Sequence, residues 1–106
     1  MKRVKRRYLW LQLDAAVLPE QRVFLDAVWR SVSQLYGEFG ASQTSLALIN
    51  YDVEGHSAVL RTSLVTVDIV RTALAALTRL DGKPVAVHVL AVSGTIKALF
   101  EGQVGS

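Results

Sequence analysis

What most constrains this chain is the order in which two hydrophobic periods follow one another. From about Arg7 to Asp14 the period is two, with Leu9, Leu11 and Leu13 on one face and Tyr8, Trp10 and Gln12 on the other, the pattern of a half-buried strand. Pro19 and Glu20 suit the first turn of a helix, where proline gives up no needed hydrogen bond. From there Phe24, Val28 and Leu35 recur at helical spacing with Leu25, Trp29, Val32 and Tyr36, and predict a broad inward face. Gly37 is placed to end that helix, because glycine accepts the backbone of a C-terminal cap. Gly37-Glu38-Phe39-Gly40 then turns the chain.

Thr44 to Asn50 and Ser57 to Thr62 read as a hairpin closed over Asp52-Val53-Glu54-Gly55. Ser63 is a candidate N-cap for a second helix. In that helix Val67, Val70, Leu74 and Leu77, with Ile69, Ala73 and Leu80, face inward, while Asp68, Arg71, Ala75 and Arg79 form the wet stripe. Asp81-Gly82-Lys83-Pro84 is a turn in which Gly permits positive φ and Pro prevents the helix from continuing. Val85 to Val92 is the clearest strand, and Gly94 and Thr95 open a short helix through Phe100. The order βαββαβ is that of the ferredoxin-like split βαβ motif. It predicts an α+β sandwich, RRM-like in strand order: a four-stranded antiparallel sheet, two helices on one face and a short C-terminal helix. At 106 residues the chain reads as a single domain, residues 1–106, with residues 1–6 as a basic arm.

In such a fold the helices cover one sheet face, so strands should alternate apolar and polar. Here Ala47-Leu48-Ile49 and Ala58-Val59-Leu60 run on without a polar break, and His88 alone interrupts Val85 to Val92. Both faces therefore call for shelter. A C-terminal helix of six residues, about 9 Å long at 1.5 Å per residue, would hide part of the second face. The rest implies a protein partner, with Trp10, Leu48, Leu60, His88 and Leu90 as candidate contacts; a tolerated exposed patch is the blander alternative.

Composition narrows the function. With 51% hydrophobic and 20% charged residues the chain is globular, and its lack of cysteine removes disulfides, thiolate metal sites and cysteine nucleophiles. No apolar run reaches the roughly 18 residues of a membrane span, and the expectation is a cytoplasmic protein. The 12 Lys+Arg and 9 Asp+Glu give a net +3. Removing Lys2, Arg3, Lys5, Arg6 and Arg7 leaves 7 basic against 9 acidic residues, a net of −2 over residues 8–106. One short segment thus makes the protein basic. Such a cluster suits phosphates, though a solvated start that aids solubility has the same composition.

No catalytic or metal constellation emerges. His56 and His88 show no ligand spacing, the carboxylates are scattered singly, and Val92-Ser93-Gly94-Thr95 lacks the frame of a nucleophile elbow. An RRM-type surface stacks bases on aromatics of the central strands. Tyr8 and Trp10 stand on the first strand, but Ser57 to Thr62 carries no aromatic, so the sheet platform is missing. Ser93-Gly94-Thr95-Ile96-Lys97 is a better anion candidate: a helix start offers backbone N–H groups and a partial positive charge, and Lys97 a full one. A capping turn beside a surface lysine has the same look.

With these segments placed, the chain resembles the archaeal and eukaryotic ribonuclease P protein component 2 family. The likeness runs from Lys5 to Lys97. It rests on the basic lead into Arg7-Tyr8-Leu9, on Leu35-Tyr36-Gly37-Glu38-Phe39-Gly40-Ala41, on Tyr51, Gly55 and Leu60-Arg61, on Val67, Val70-Arg71 and Ala73-Leu74, and on Val92-Ser93-Gly94-Thr95-Ile96-Lys97. The resemblance implies an accessory subunit of the endoribonuclease that removes the 5′ leader of precursor tRNA. It implies self-association, a TIM-barrel-like protein partner, and chemistry carried by the RNA with its magnesium, the protein itself binding no cofactor and supplying no catalytic residue. It also marks Arg6, Arg7, Arg61, Gly94, Thr95 and Lys97 as RNA or partner contacts, to which charge adds Lys2, Arg3 and Lys5. Many relatives continue well beyond the position of Lys97, which leaves the C-terminal cover of the sheet the least specified element. Two other functions fit the same fold: a protein-interaction or small-ligand regulatory module, and an independent nuclease, the latter disfavoured by the lack of clustered acids.

Overall fold

A computed structural model of the protein describes residues 5–104, with side chains over residues 5–100. The elements are β1 (Arg6–Asp14), α1 (Gln21–Ser42), β2 (Ala47–Asp52), β3 (Ser57–Ser63), a 3-10 turn (Leu64–Thr66), α2 (Val67–Ala76), β4 (Arg79–Leu80), β5 (Lys83–Pro84), β6 (Ala86–Ser93) and α3 (Ile96–Val104). The main sheet has the order β2-β3-β1-β6, antiparallel throughout, and β4 and β5 form a separate small hairpin. This is the ferredoxin-like arrangement that the sequence pattern predicts.

The leucine stripe of β1 forms the centre of the core. Leu9, Leu11 and Leu13 are fully buried, together with Phe24 and Val28 of α1, Ala58 and Leu60 of β3, and Val70 and Leu74 of α2. Burying one such side chain contributes about 1.5–3 kcal/mol, so these contacts set the sheet's inner face. Leu60 lies directly across from Leu9 and is wholly enclosed. It is therefore a core residue, and its candidacy as a partner contact is withdrawn.

Several boundaries differ from the sequence reading, each for a local reason. Gly37 does break α1, with φ 78° and ψ 168°, but the helix resumes through Ser42 instead of turning away. That conformation is essentially confined to glycine. Gly40 has a different duty: a Cβ there would lie 2.9 Å from Cβ of Tyr36. Gly37→Ala should therefore cost about 1–3 kcal/mol in chemical denaturation, and an unchanged midpoint would show the break to be unstrained for other residues.

Helix α2 stops at Ala76, and Leu80 reaches the core from β4. The turn between β4 and β5 has positive φ at both Asp81 (52°) and Gly82 (77°), the Asp-Gly geometry of a tight type I′ hairpin. The β2–β3 turn is closed by the Asp52 carboxylate, which accepts the Gly55 N–H at 3.0 Å. A side chain at Gly55 would collide with that carboxylate.

Ser63 does not cap α2 with its side chain. Its hydroxyl joins a buried knot that binds the end of α1 to β3. The Ser63 Oγ donates to the Gln43 carbonyl at 3.0 Å and lies 2.6 Å from the Thr66 hydroxyl, while the Thr62 hydroxyl donates to the Thr44 carbonyl at 2.8 Å. Thr44, expected in β2, is buried in this knot, its own hydroxyl donating to the Ala41 carbonyl at 2.7 Å.

Part of the second sheet face, over β1 and β6, is covered by α3, which runs beyond the expected Phe100 to Val104. Trp10 meets Phe100 edge to face, with centroids 4.9 Å apart and planes at 66°. Leu99 of α3 is 1% exposed, and Val59, paired across from Trp10, is 2% exposed. Each outer strand carries one extra residue in its pairing: Ile49 in β2, between the Leu48 and Asn50 pairs, and Leu90 in β6, between the Val89 and Ala91 pairs.

Candidate nucleic-acid interface

Because β1 runs antiparallel to both neighbours, its start lies beside the ends of β3 and β6. Arg6 pairs with Ser63, Arg7 with Thr62, and Tyr8 with both Arg61 and Ser93. Gly94 and Thr95 follow at once and lead into α3, which carries Lys97 in its first turn. The fold thus gathers Lys5, Arg6, Arg7, Arg61, Gly94, Thr95 and Lys97 at one end of the sheet. Lys5, Arg6 and Lys97 are exposed, and Arg7 and Arg61 are half-buried. Lys2 and Arg3 lie outside the described residues. The strand begins at Arg6, one residue inside the expected arm.

Side-chain geometry orders part of this cluster. The Arg7 Nη1 donates to the Arg6 carbonyl at 2.9 Å, and it would stand 3.3 Å from a Cβ at position 94. Glycine there lets the guanidinium rest on the turn before α3. The Arg61 Nε is buried with no hydrogen-bond partner among the described residues. Thr95 caps α3: its hydroxyl accepts the Ala98 N–H at 3.1 Å. That bond occupies one of the helix-start donors, so the charge of this end comes chiefly from side chains.

The remaining candidates are dispersed. His56 sits in the β2–β3 turn at the far end of the sheet, its Nδ1 3.3 Å from the Leu13 carbonyl, and His88 is exposed on β6 opposite Gln12. No group of three or more His, Asp or Glu among the described residues could hold a metal. Of the proposed partner contacts, Trp10 is half-buried under α3, Leu48 is half-buried in β2, and His88 and Leu90 are open on the outer strand. No described helix is long and apolar enough to cross a membrane.

One exposed surface is missing from the sequence reading. Trp29, Leu35 and Tyr36, expected to face inward, are 40–47% exposed, and Phe39 is 81% exposed. The buried stripe of α1 is narrow, Phe24, Val28, Ser31 and Val32, so Trp29, Leu35 and Tyr36 stand on its flanks. Beyond the break at Gly37 only Ala41 of this helix is buried, and helical period alone shows neither the width of that stripe nor how the break re-aims the chain.

Comparison with known proteins fits this arrangement. Residues 7–102 match the model of the Rpp14/Pop5 family. Among characterised relatives, ribonuclease P protein component 2 of Methanosarcina mazei is 33% identical over 99 residues, covering 93% of this chain and 84% of that protein. The protein of the same name from Thermococcus kodakarensis is 30% identical over 97 residues, covering 92% and 81%. A chain in the cryo-EM structure of yeast ribonuclease MRP superposes with a TM-score of 0.71 at 15% identity, covering 99% of this chain and 95% of that one, a likeness of fold. A family match over nearly the whole described chain, on the βαββαβ sheet whose basic residues converge at one end, makes this protein a member of the Rpp14/Pop5 family.

Proposed function

We propose that the chain is a protein subunit of ribonuclease P, supporting a catalytic RNA in removing the 5′ leader of precursor tRNA. The observation that carries this reading is the convergence of Arg6, Arg7, Arg61 and Lys97 at one sheet end in a chain whose relatives are ribonuclease P protein components. Clustered cations meet phosphates, release counterions and position the RNA without reading its sequence. In this reading the metal-assisted hydrolysis belongs to the RNA, and the protein's cations serve to position it.

The partners in this reading are the ribonuclease P RNA, its precursor tRNA, a TIM-barrel-like protein component and a second copy of this chain, all in the cytoplasm. The exposed Trp29 and Leu35 flank of α1 and the open Leu90 of β6 supply apolar surface for protein contacts, where aromatics dominate binding. The competing ligand-sensor reading would use the cleft of ≈ 510 Å³ between α1 and the β4–β5 turn. Its lining mixes Asp26, Arg30, Arg79 and Asp81 and singles out no ligand class.

Reconstitution tests the proposal. Cognate RNA and partner proteins should cleave precursor tRNA faster, and at lower magnesium, when this chain is added. Equal cleavage with and without it would overturn the assignment, and cleavage by the pure chain with magnesium would revive the nuclease reading.

A further inference from the structure

At the end of the sheet that gathers the cations, the structure also presents an aromatic side chain that packing does not explain. Phe39 is 81% exposed, so the fold gains almost nothing from its ring. Yet its setting is specified. Gly37 holds a backbone conformation confined to glycine just before it. Gly40, one residue after, lacks the Cβ that would press on Tyr36 at 2.9 Å. The Ser42 hydroxyl donates to the Phe39 carbonyl at 2.7 Å. A break, a close approach and a side-chain bond thus fix a short helical turn whose outward residue is a phenylalanine.

Bonded contacts tie that turn to the basic cluster. Directly after Ser42, the Gln43 carbonyl accepts the Ser63 hydroxyl at 3.0 Å. Ser63 pairs with Arg6, and the Leu64 N–H donates to the Lys5 carbonyl at 2.8 Å. Phe39, half-exposed Tyr36 and the cations of β1 therefore share one end of the molecule.

We infer that this end takes an unpaired stretch of RNA, a base stacking on the Phe39 ring while its phosphates lie along Lys5, Arg6 and Arg7. The inference rests on the reading of the chain as an RNA-binding subunit and adds the state of the RNA. A duplex keeps its bases stacked inside, so an exposed ring beside cations recognises a single-stranded segment, as stacking platforms do. Glu38, adjacent to Phe39 and exposed, repels phosphate locally, so the short turn receives the uncharged base and β1 the backbone. The sheet face, where α3 already lies over Trp10, is not the platform; the exposed ring in the last turn of α1 is. Any base fits, because every base has a π-face.

The test uses the full chain and a single-stranded RNA of roughly eight nucleotides carrying 2-aminopurine, beside a blunt duplex of the same sequence. Binding should change the 2-aminopurine emission of the single strand. Phe39→Ala should weaken single-strand binding by roughly tenfold and remove that change, with the slope of log affinity against log salt unaltered and duplex binding unmoved. Phe39→Trp should keep both affinity and signal. Circular dichroism checks that each variant folds. If Phe39→Ala leaves affinity and emission as they were, the stacking inference fails while the RNA-binding reading stands. Loss of binding to the protein component of the holoenzyme, with RNA binding intact, assigns the ring to a protein interface and also overturns the inference. No binding of either RNA by the wild-type chain overturns both readings.

Discussion

Replacing Lys2, Arg3, Lys5, Arg6 and Arg7 together with glutamine should flatten the salt dependence of RNA binding by as much as about 3.5 to 4.5 decades of affinity per decade of salt. Each phosphate neutralised contributes about 0.7 to such a slope on a single strand and 0.9 on a duplex, and five cations are removed. The structure makes the variant interpretable. Lys5 and Arg6 are exposed, and Arg7 bonds only the neighbouring Arg6 carbonyl among the hydrogen bonds described, so the core is untouched and the melting temperature should hold. Fluorescence anisotropy across a salt series reads the slope. An unchanged slope would remove this strand end from the RNA surface, and the placement of Arg61 and Lys97 beside it would lose its functional meaning.

The largest effect on stability should come from Phe24→Ala, at about 3–5 kcal/mol. Phe24 is fully buried and stacks on Tyr51, with centroids 5.4 Å apart and planes at 26°. The Tyr51 hydroxyl donates to the Pro19 carbonyl at 2.6 Å, and burial pushes its pKa above the usual phenol value. Removing the ring thus opens a cavity and loosens the clasp that joins β2 to the segment entering α1. For a domain of this size the melting temperature should fall on the order of 20 °C. A loss of only a few degrees in a thermal melt would mean that neighbouring leucines collapse into the space.

Most of the fold is legible in the chain because local signals and burial agree. The leucine stripe of β1 and the glycine at 82 each have one physical reading, and the structure follows it. Departures occur where a side chain has tertiary work that periodicity does not carry. Ser63 looks like a cap and is spent on the Gln43 carbonyl; Leu80 fits the α2 face yet reaches the core from β4; Gly37 looks like a stop and is a break. The basic residues near β1 are visible from charge alone. Their meeting with Arg61 and Lys97 depends on strand register, which the hydrophobic pattern fixes only once the antiparallel order is known. Phe39 could not be singled out, since which residues face outward after Gly37 depends on how the helix resumes beyond that break, and the hydrophobic pattern does not carry that.

The extra residues at Ile49 and Leu90 limit how this molecule can be approached. A bulge breaks the regular ladder of N–H and C=O groups and coils the strand away from a straight neighbour. With one on each open margin, the sheet is a poor template for lateral growth, and neither a sister chain nor a stray peptide can simply zip on. Recognition must then be written in side chains and helix ends, a grammar that tolerates crowding inside a ribonucleoprotein without inviting fibres.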